Sequence, residues 1–149
     1  MTSSTIAEVL SIIEEEYDET LAAWFRTQRQ EGVRRPDLFS NAEAENQLGQ
    51  LLRAFVDGAR RADLDRPINL EDEAWTLLRD TLREVTKNRL ERGVSPTEMT
   101  TMVLALKHPL YTRLRKRLAG DPDRLVEEIT QLSRAMDAFA MQINEDFLA

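Results

Sequence analysis

Residues 121–149 read DPDRLVEEITQLSRAMDAFAMQINEDFLA. Leu125, Val126, Ile129, Leu132, Met136, Phe139, Ala140, Ile143 and Phe147 recur at steps of mostly three and four, the spacing that gathers side chains on one side of a helix. Asp121-Pro122-Asp123 supplies a cap and then a proline at the first helical position, where a missing N–H costs nothing. No Gly or Pro follows Pro122, so the pattern predicts one helix of about 26 residues, ~40 Å long at 1.5 Å per residue. Its apolar surface is wide, with Leu125 and Val126 at one end and Phe139 and Ala140 further on. A surface that wide implies two coverings, the core of its own domain and another chain. Leu132, Met136, Phe139, Ile143 and Phe147 are assigned to a homodimer seam and output surface. The helix is still apolar at Phe147 and Leu148, as if cut rather than finished.

The chain before this rod divides at its glycines and prolines. Ser95-Pro96-Thr97-Glu98 is the clearest local signal: Ser95 caps, Pro96 opens a helix and Glu98 closes a capping box. Met99, Met102, Val103, Leu106, Leu110, Leu114 and Leu118 form the stripe that follows, up to Gly120. Pro109 within it removes one backbone hydrogen bond and predicts a bend or break near Ala105 to His108. Asn69 is the expected cap of the preceding helix, with Glu71, Asp72 and Glu73 in its first turn and Lys87, Arg89 and Arg92 in its last turns, the favourable signs. Ala74, Leu77, Leu78, Leu82 (or Thr81), Val85 and Leu90 are expected inward, and Gly93 ends that helix. Ser40 and Glu43 form a second capping box, opening a helix to about Ala62 with Leu48, Leu51, Leu52, Phe55, Val56 and Ala59 on one face. Gly49 and Gly58 weaken this helix slightly, and their small size also lets a neighbour approach closely. The first helix is expected from about Thr5 to Glu31, with Ile6, Val9, Leu10, Ile13, Tyr17, Leu21, Trp24 and Phe25 on one stripe. No strand pattern competes, so residues 1–149 are expected to form one all-α domain.

The composition narrows the function. The 149 residues include 27 Asp and Glu, 20 Lys and Arg, one His and no Cys. A net charge of −7 argues against a nucleic-acid partner, whose binding face is normally basic. Without Cys there is no disulfide, thiolate metal site or Cys nucleophile. The longest apolar run, Met102 to Leu106, falls far short of the ~20 residues that span a bilayer. Met-Thr-Ser-Ser-Thr at the start lacks the basic and apolar regions of a signal peptide. A cytoplasmic domain with no membrane partner is expected.

Charge is distributed unevenly. Residues 95–120 hold one acid and five bases, four of them in Arg113-Leu114-Arg115-Lys116-Arg117. Residues 1–31 and 121–149 each hold seven acids and two bases. Either the basic helix end packs beside acidic neighbours of its own chain, or it offers a patch to an acidic partner.

Catalytic patterns are absent. The chain has no G-x-S-x-G, no phosphate-cradling glycine loop and a single imidazole. Glu127-Glu128 is the nearest approach to paired acids, but adjacent helix residues do not converge on one face, and the pair is read as surface. With one His and no Glu-x-x-His, a di-iron bundle site is excluded. His108 remains as a candidate proximal haem ligand or, alternatively, a surface or boundary histidine. Trp24, Trp75, Phe55, Phe139 and the Met residues are expected in the core rather than in a pocket.

Taken in order, several segments carry a resemblance. They are Ala22-Ala23-Trp24 late in the first helix, Arg89-Leu90-Glu91-Arg92-Gly93-Val94-Ser95-Pro96-Thr97-Glu98 leading into Val103-Leu104-Ala105-Leu106-Lys107, and the long helix after Asp121-Pro122. Over roughly residues 6–147 the chain resembles the N-terminal sensor domain of Rsb-type co-antagonists of bacterial stressosomes, the RsbRD-like N-terminal domain. The resemblance implies a globin-like helical domain that generally lacks haem and forms a homodimer. It implies a STAS effector domain joined through the continuing last helix, other stressosome proteins as partners, and no catalytic residue. The STAS domain and its phosphorylated Thr residues are not in this sequence, so no phosphosite is carried over. Some relatives bind haem, which keeps His108 in view. The two other readings are a haem-based gas or redox sensor and a helical adaptor for a protein or peptide.

Overall fold

The computed structural model describes residues 6–148, among which every regular element is helical. Helices α1 (Ala7–Glu15), α2 (Tyr17–Gln30) and α3 (Asn41–Arg61) come first. A 3₁₀ turn (Glu73–Trp75) then leads into α4 (Thr76–Glu91), followed by α5 (Pro96–Leu104), α6 (Lys107–Arg117) and α7 (Pro122–Leu148). The all-α class and the long C-terminal helix stand.

The capping boxes form as the sequence predicts. Ser40 accepts from the Glu43 N–H at 3.1 Å and Glu43 accepts from the Ser40 N–H at 3.2 Å. Ser95 and Glu98 repeat the exchange at 3.1 and 3.3 Å. After α4 the chain turns at Gly93, whose φ of +97° only glycine adopts freely, and the Val94 N–H closes on the Arg89 carbonyl at 2.9 Å. The predicted break before Pro109 falls at Ala105–Leu106, between α5 and α6.

Three expectations are corrected. The single first helix is two, broken at Glu16, which has left helical geometry (φ −122°, ψ 40°) and whose carboxylate meets Arg117 from α6 at 2.9 Å; Thr5, its expected start, lies outside the described residues. Asn69 does not cap α4. Its side chain accepts the Glu71 N–H at 3.0 Å in a tight turn, and helix begins only at Glu73. Leu77 and Leu90 point outward, 50% and 45% exposed, while Trp75 takes an inward place.

Trp75 does so because Gly58 of α3 leaves room for its ring, so close that a Cβ there would overlap it. Phe55 links Trp75 (centroids 5.9 Å apart) to Phe139 of α7 (5.6 Å, edge-on). Trp24 of α2 donates its indole N–H to the Met102 carbonyl at 2.9 Å, and Gln28 donates to the same oxygen at 3.1 Å, which ties α2 to α5. These aromatics are buried, as expected. Around them α7 lies against α4, α5, α6 and the beginning of α1, while α3 packs on α1, α2, the 3₁₀ turn and α4.

Candidate functional site

Helix α7 runs 27 residues without interruption, about 40 Å at 1.5 Å per residue. Its inner face consists of Glu128, Leu132, Ala135, Met136, Phe139, Gln142 and Ile143, all buried. Most of the residues assigned to the seam lie on this inner face. Leu132, Met136 and Ile143 are 0% and Phe139 3% exposed within one chain, and Phe147 is half-buried against the core. Side chains already enclosed by α4, α5 and α6 are not available to a second chain. The outer face carries Thr130, Arg134 and Asp137 with three apolar residues, Val126 (64% exposed), Met141 (65%) and Leu148 (88%). The wide stripe seen in the sequence is consumed mostly inside the domain, because α4, α5, α6 and the start of α1 all contact this helix. Val126 was the signal for the outer face, since it sits beside rather than on the 125–129–132–136 line.

Glu128 is not a surface acid. It is fully buried, and its Oε1 accepts the backbone N–H groups of Glu8 and Val9 at 3.1 Å each. Ile6, at the N-cap of α1, makes no side-chain cap bond, and a carboxylate 119 residues from Val9 in sequence caps this helix. Oε2 is buried without a hydrogen-bond partner. Burial pushes this carboxyl up to about 7, against the pull of the N–H groups and of Arg124. Sequence spacing gives no sign of such a contact, because a lone Glu in an amphipathic helix is normally solvated.

The other end of α1 is held by α6. Arg117 reaches Glu15 at 2.7 Å, Glu16 at 2.9 Å and the Ser11 hydroxyl at 3.2 Å, and Arg113 lies 3.5 Å from Glu16. Two members of the basic run thus pair with acids of their own chain, while Arg115 and Lys116 remain exposed. Arg89, placed by its sequence position among exposed helix-end cations, is also buried. Its guanidinium stacks on Phe39 (4.4 Å to the ring centroid) and donates from Nε to Gln47 at 2.8 Å. Burial, and then the nearby charge of Arg34, bring it down to about 10.

His108 sits exposed in the first turn of α6, where it lines a groove with Arg26, Gln30, Thr112 and Arg113. The apolar cavity at the domain centre is elsewhere, lined by Trp24, Leu52, Phe55, Leu82, Val103 and Phe139 among others, and measures about 20 Å³, room for one water. His108 does not border it, so the residues present do not fit a haem held by this histidine. Among the described residues there is no group of three or more His, Cys, Asp or Glu placed to hold a metal ion, and no helix long and apolar enough to cross a membrane.

Chemically, this arrangement couples helices. One continuous helix contacts α4, α5 and α6 along its length and meets the start of α1 through the Glu128 carboxylate and the Arg124–Glu8 pair. Neither curated proteins nor solved structures match the chain. One family model does, over residues 6–147, nearly the whole chain; its description is RsbT co-antagonist protein rsbRD N-terminal domain, a module of stressosome-type signalling and not a known enzyme family. The chain therefore belongs to the family of RsbT co-antagonist protein rsbRD N-terminal domains.

Proposed function

We propose that this chain is a non-enzymatic sensory module of a cytoplasmic stressosome-type protein, that it works as a homodimer, and that α7 passes its signal to an effector of the STAS type. The observation that carries the reading is the continuity of α7. A helix of 27 residues in contact with most other elements moves when any of them moves, and a stiff helix transmits displacement to whatever its end is joined to. A signal acts only if it binds two arrangements of these helices with different affinity. The globin-like arrangement and the STAS partner rest on the family resemblance alone.

In this proposal the second copy docks on the outer face of α7, around Val126 and Met141, rather than on the buried Leu132–Ile143 line. Sedimentation equilibrium is the test. The parent chain is expected as a dimer, and Met141→Asp, on an exposed position, is expected to yield a folded monomer with unchanged helical circular dichroism. A monomeric parent chain, or a Met141→Asp dimer of parent strength, overturns this seam.

A further inference from the structure

The contact between Glu128 and α1 has three features that do not suit a purely structural cap. Among the described residues Glu128 is the one fully buried acid. One of its oxygens accepts two backbone N–H groups while the other meets no hydrogen-bond donor. No cation among the described residues forms an ion pair with it: Arg124, one turn earlier in α7, lies 3.8 Å from Glu8 instead. Several charged groups of the surrounding helices are engaged elsewhere, and Arg115 and Lys116 of α6 are exposed. Arg113 and Arg117 of α6 pair with Glu15 and Glu16, Arg60 of α3 with Glu14, Arg83 of α4 with Asp80 and Asp146, and Glu98 of α5 with Arg35. Glu8 on α1 and Arg124 on α7 are left as the charges that act on Glu128, and they act with opposite sign.

We propose that Glu128 is a proton-controlled clasp between α1 and α7, closed while its carboxyl is protonated and weakened when the proton leaves. Ionised and docked, the carboxylate is a buried charge offset by two N–H groups and by the nearby charge of Arg124; ionised and released, it is solvated. Protonated, it still accepts both N–H groups through Oε1 and no longer carries a charge out of water. The proton goes to solvent as α1 lifts away. The docked state holds its proton up to about 7, where an ordinary glutamate releases it near 4.5. Docking is therefore strongest below 4.5 and is lost as pH rises through 7. Between pH 5 and pH 8 the ratio of docked to released α1 is expected to fall on the order of a hundredfold. This adds a regulatory input to the proposed output role of α7. It is tested on the isolated chain without reference to dimerisation, so either reading can fail alone.

The experiment is amide hydrogen exchange at Ile12 and Ile13, corrected for the intrinsic rate at each pH, in the parent chain and in Glu128→Gln. The glutamine keeps an acceptor for both N–H groups and does not titrate. Protection that falls between pH 5 and pH 8 in the parent and stays level in Glu128→Gln supports the clasp, and the same profile in both overturns it. Should Glu128→Gln fail to fold, Arg124→Gln and Glu8→Gln serve instead. The first is expected to move the midpoint of the parent profile up and the second down, and a midpoint that neither moves overturns the proposal.

Discussion

Gly58 and Trp75 show how far one residue's size decides the packing around it. The indole lies where a Cβ would be, and it has little freedom to withdraw, being 1% exposed and packed on Phe55. Gly58→Ala gains helix propensity but forces the ring or α3 to shift, and overpacking of this kind costs about 1–3 kcal/mol. Urea unfolding is expected to show a lower midpoint with the slope unchanged; a midpoint at or above the parent's would mean that the ring yields without cost. The sequence marks Gly58 as a place of close approach without saying which ring fills it. Charged residues were less legible still. Nothing in the spacing of Glu128 or Arg89 separates them from the exposed acids and bases beside them, because what buries each is a partner from another helix: the start of α1 for Glu128, and Phe39 with Gln47 for Arg89.

Helix boundaries were readable where the signal is local and unreadable where it is tertiary. The boxes at Ser40 and Ser95 need only residues three apart, and Pro109 needs only its missing N–H. The break at Glu16 is different: the acidic run around it continues a helical pattern, and the cations that meet it arrive from α6. The late start of α4 likewise follows from Trp75 reaching Gly58. Local capping also sets a measurable strength. Ser95→Ala removes the acceptor of the Glu98 N–H and leaves the Glu98 carboxylate on the backbone N–H of residue 95 and on Arg35 at 2.9 Å. A loss of about 1 kcal/mol is expected in chemical denaturation; no change would mean that Pro96 and the Arg35–Glu98 pair hold the start of α5 without the serine.

For the molecule as a whole, all-α class and a long last helix follow from periodicity, whereas the side of that helix left for a partner does not, since it depends on how many helices the core recruits. Opposed carboxyl shifts also shape global behaviour. Glu43, Glu98 and Asp37 sit below the usual range, held there by a backbone N–H of Ser40 or by Arg35, and their contribution is lost as pH falls through their folded values. Glu128, raised to about 7 by burial, and Asp146, raised by the same cause, contribute below the ordinary carboxylate range and lose it as pH rises. Thermal midpoints are therefore expected to peak at about pH 5 and to fall on both sides; a maximum at neutrality or above would contradict these directions. The long sequence separation between Val9 and its cap bears on biosynthesis. During translation at roughly 5–20 residues per second, a further 119 residues must be added before Glu128 exists, an interval of about 6–24 s. The cap of α1 is thus secured late, and a nascent chain leaves this helix open to chaperones until α7 has emerged.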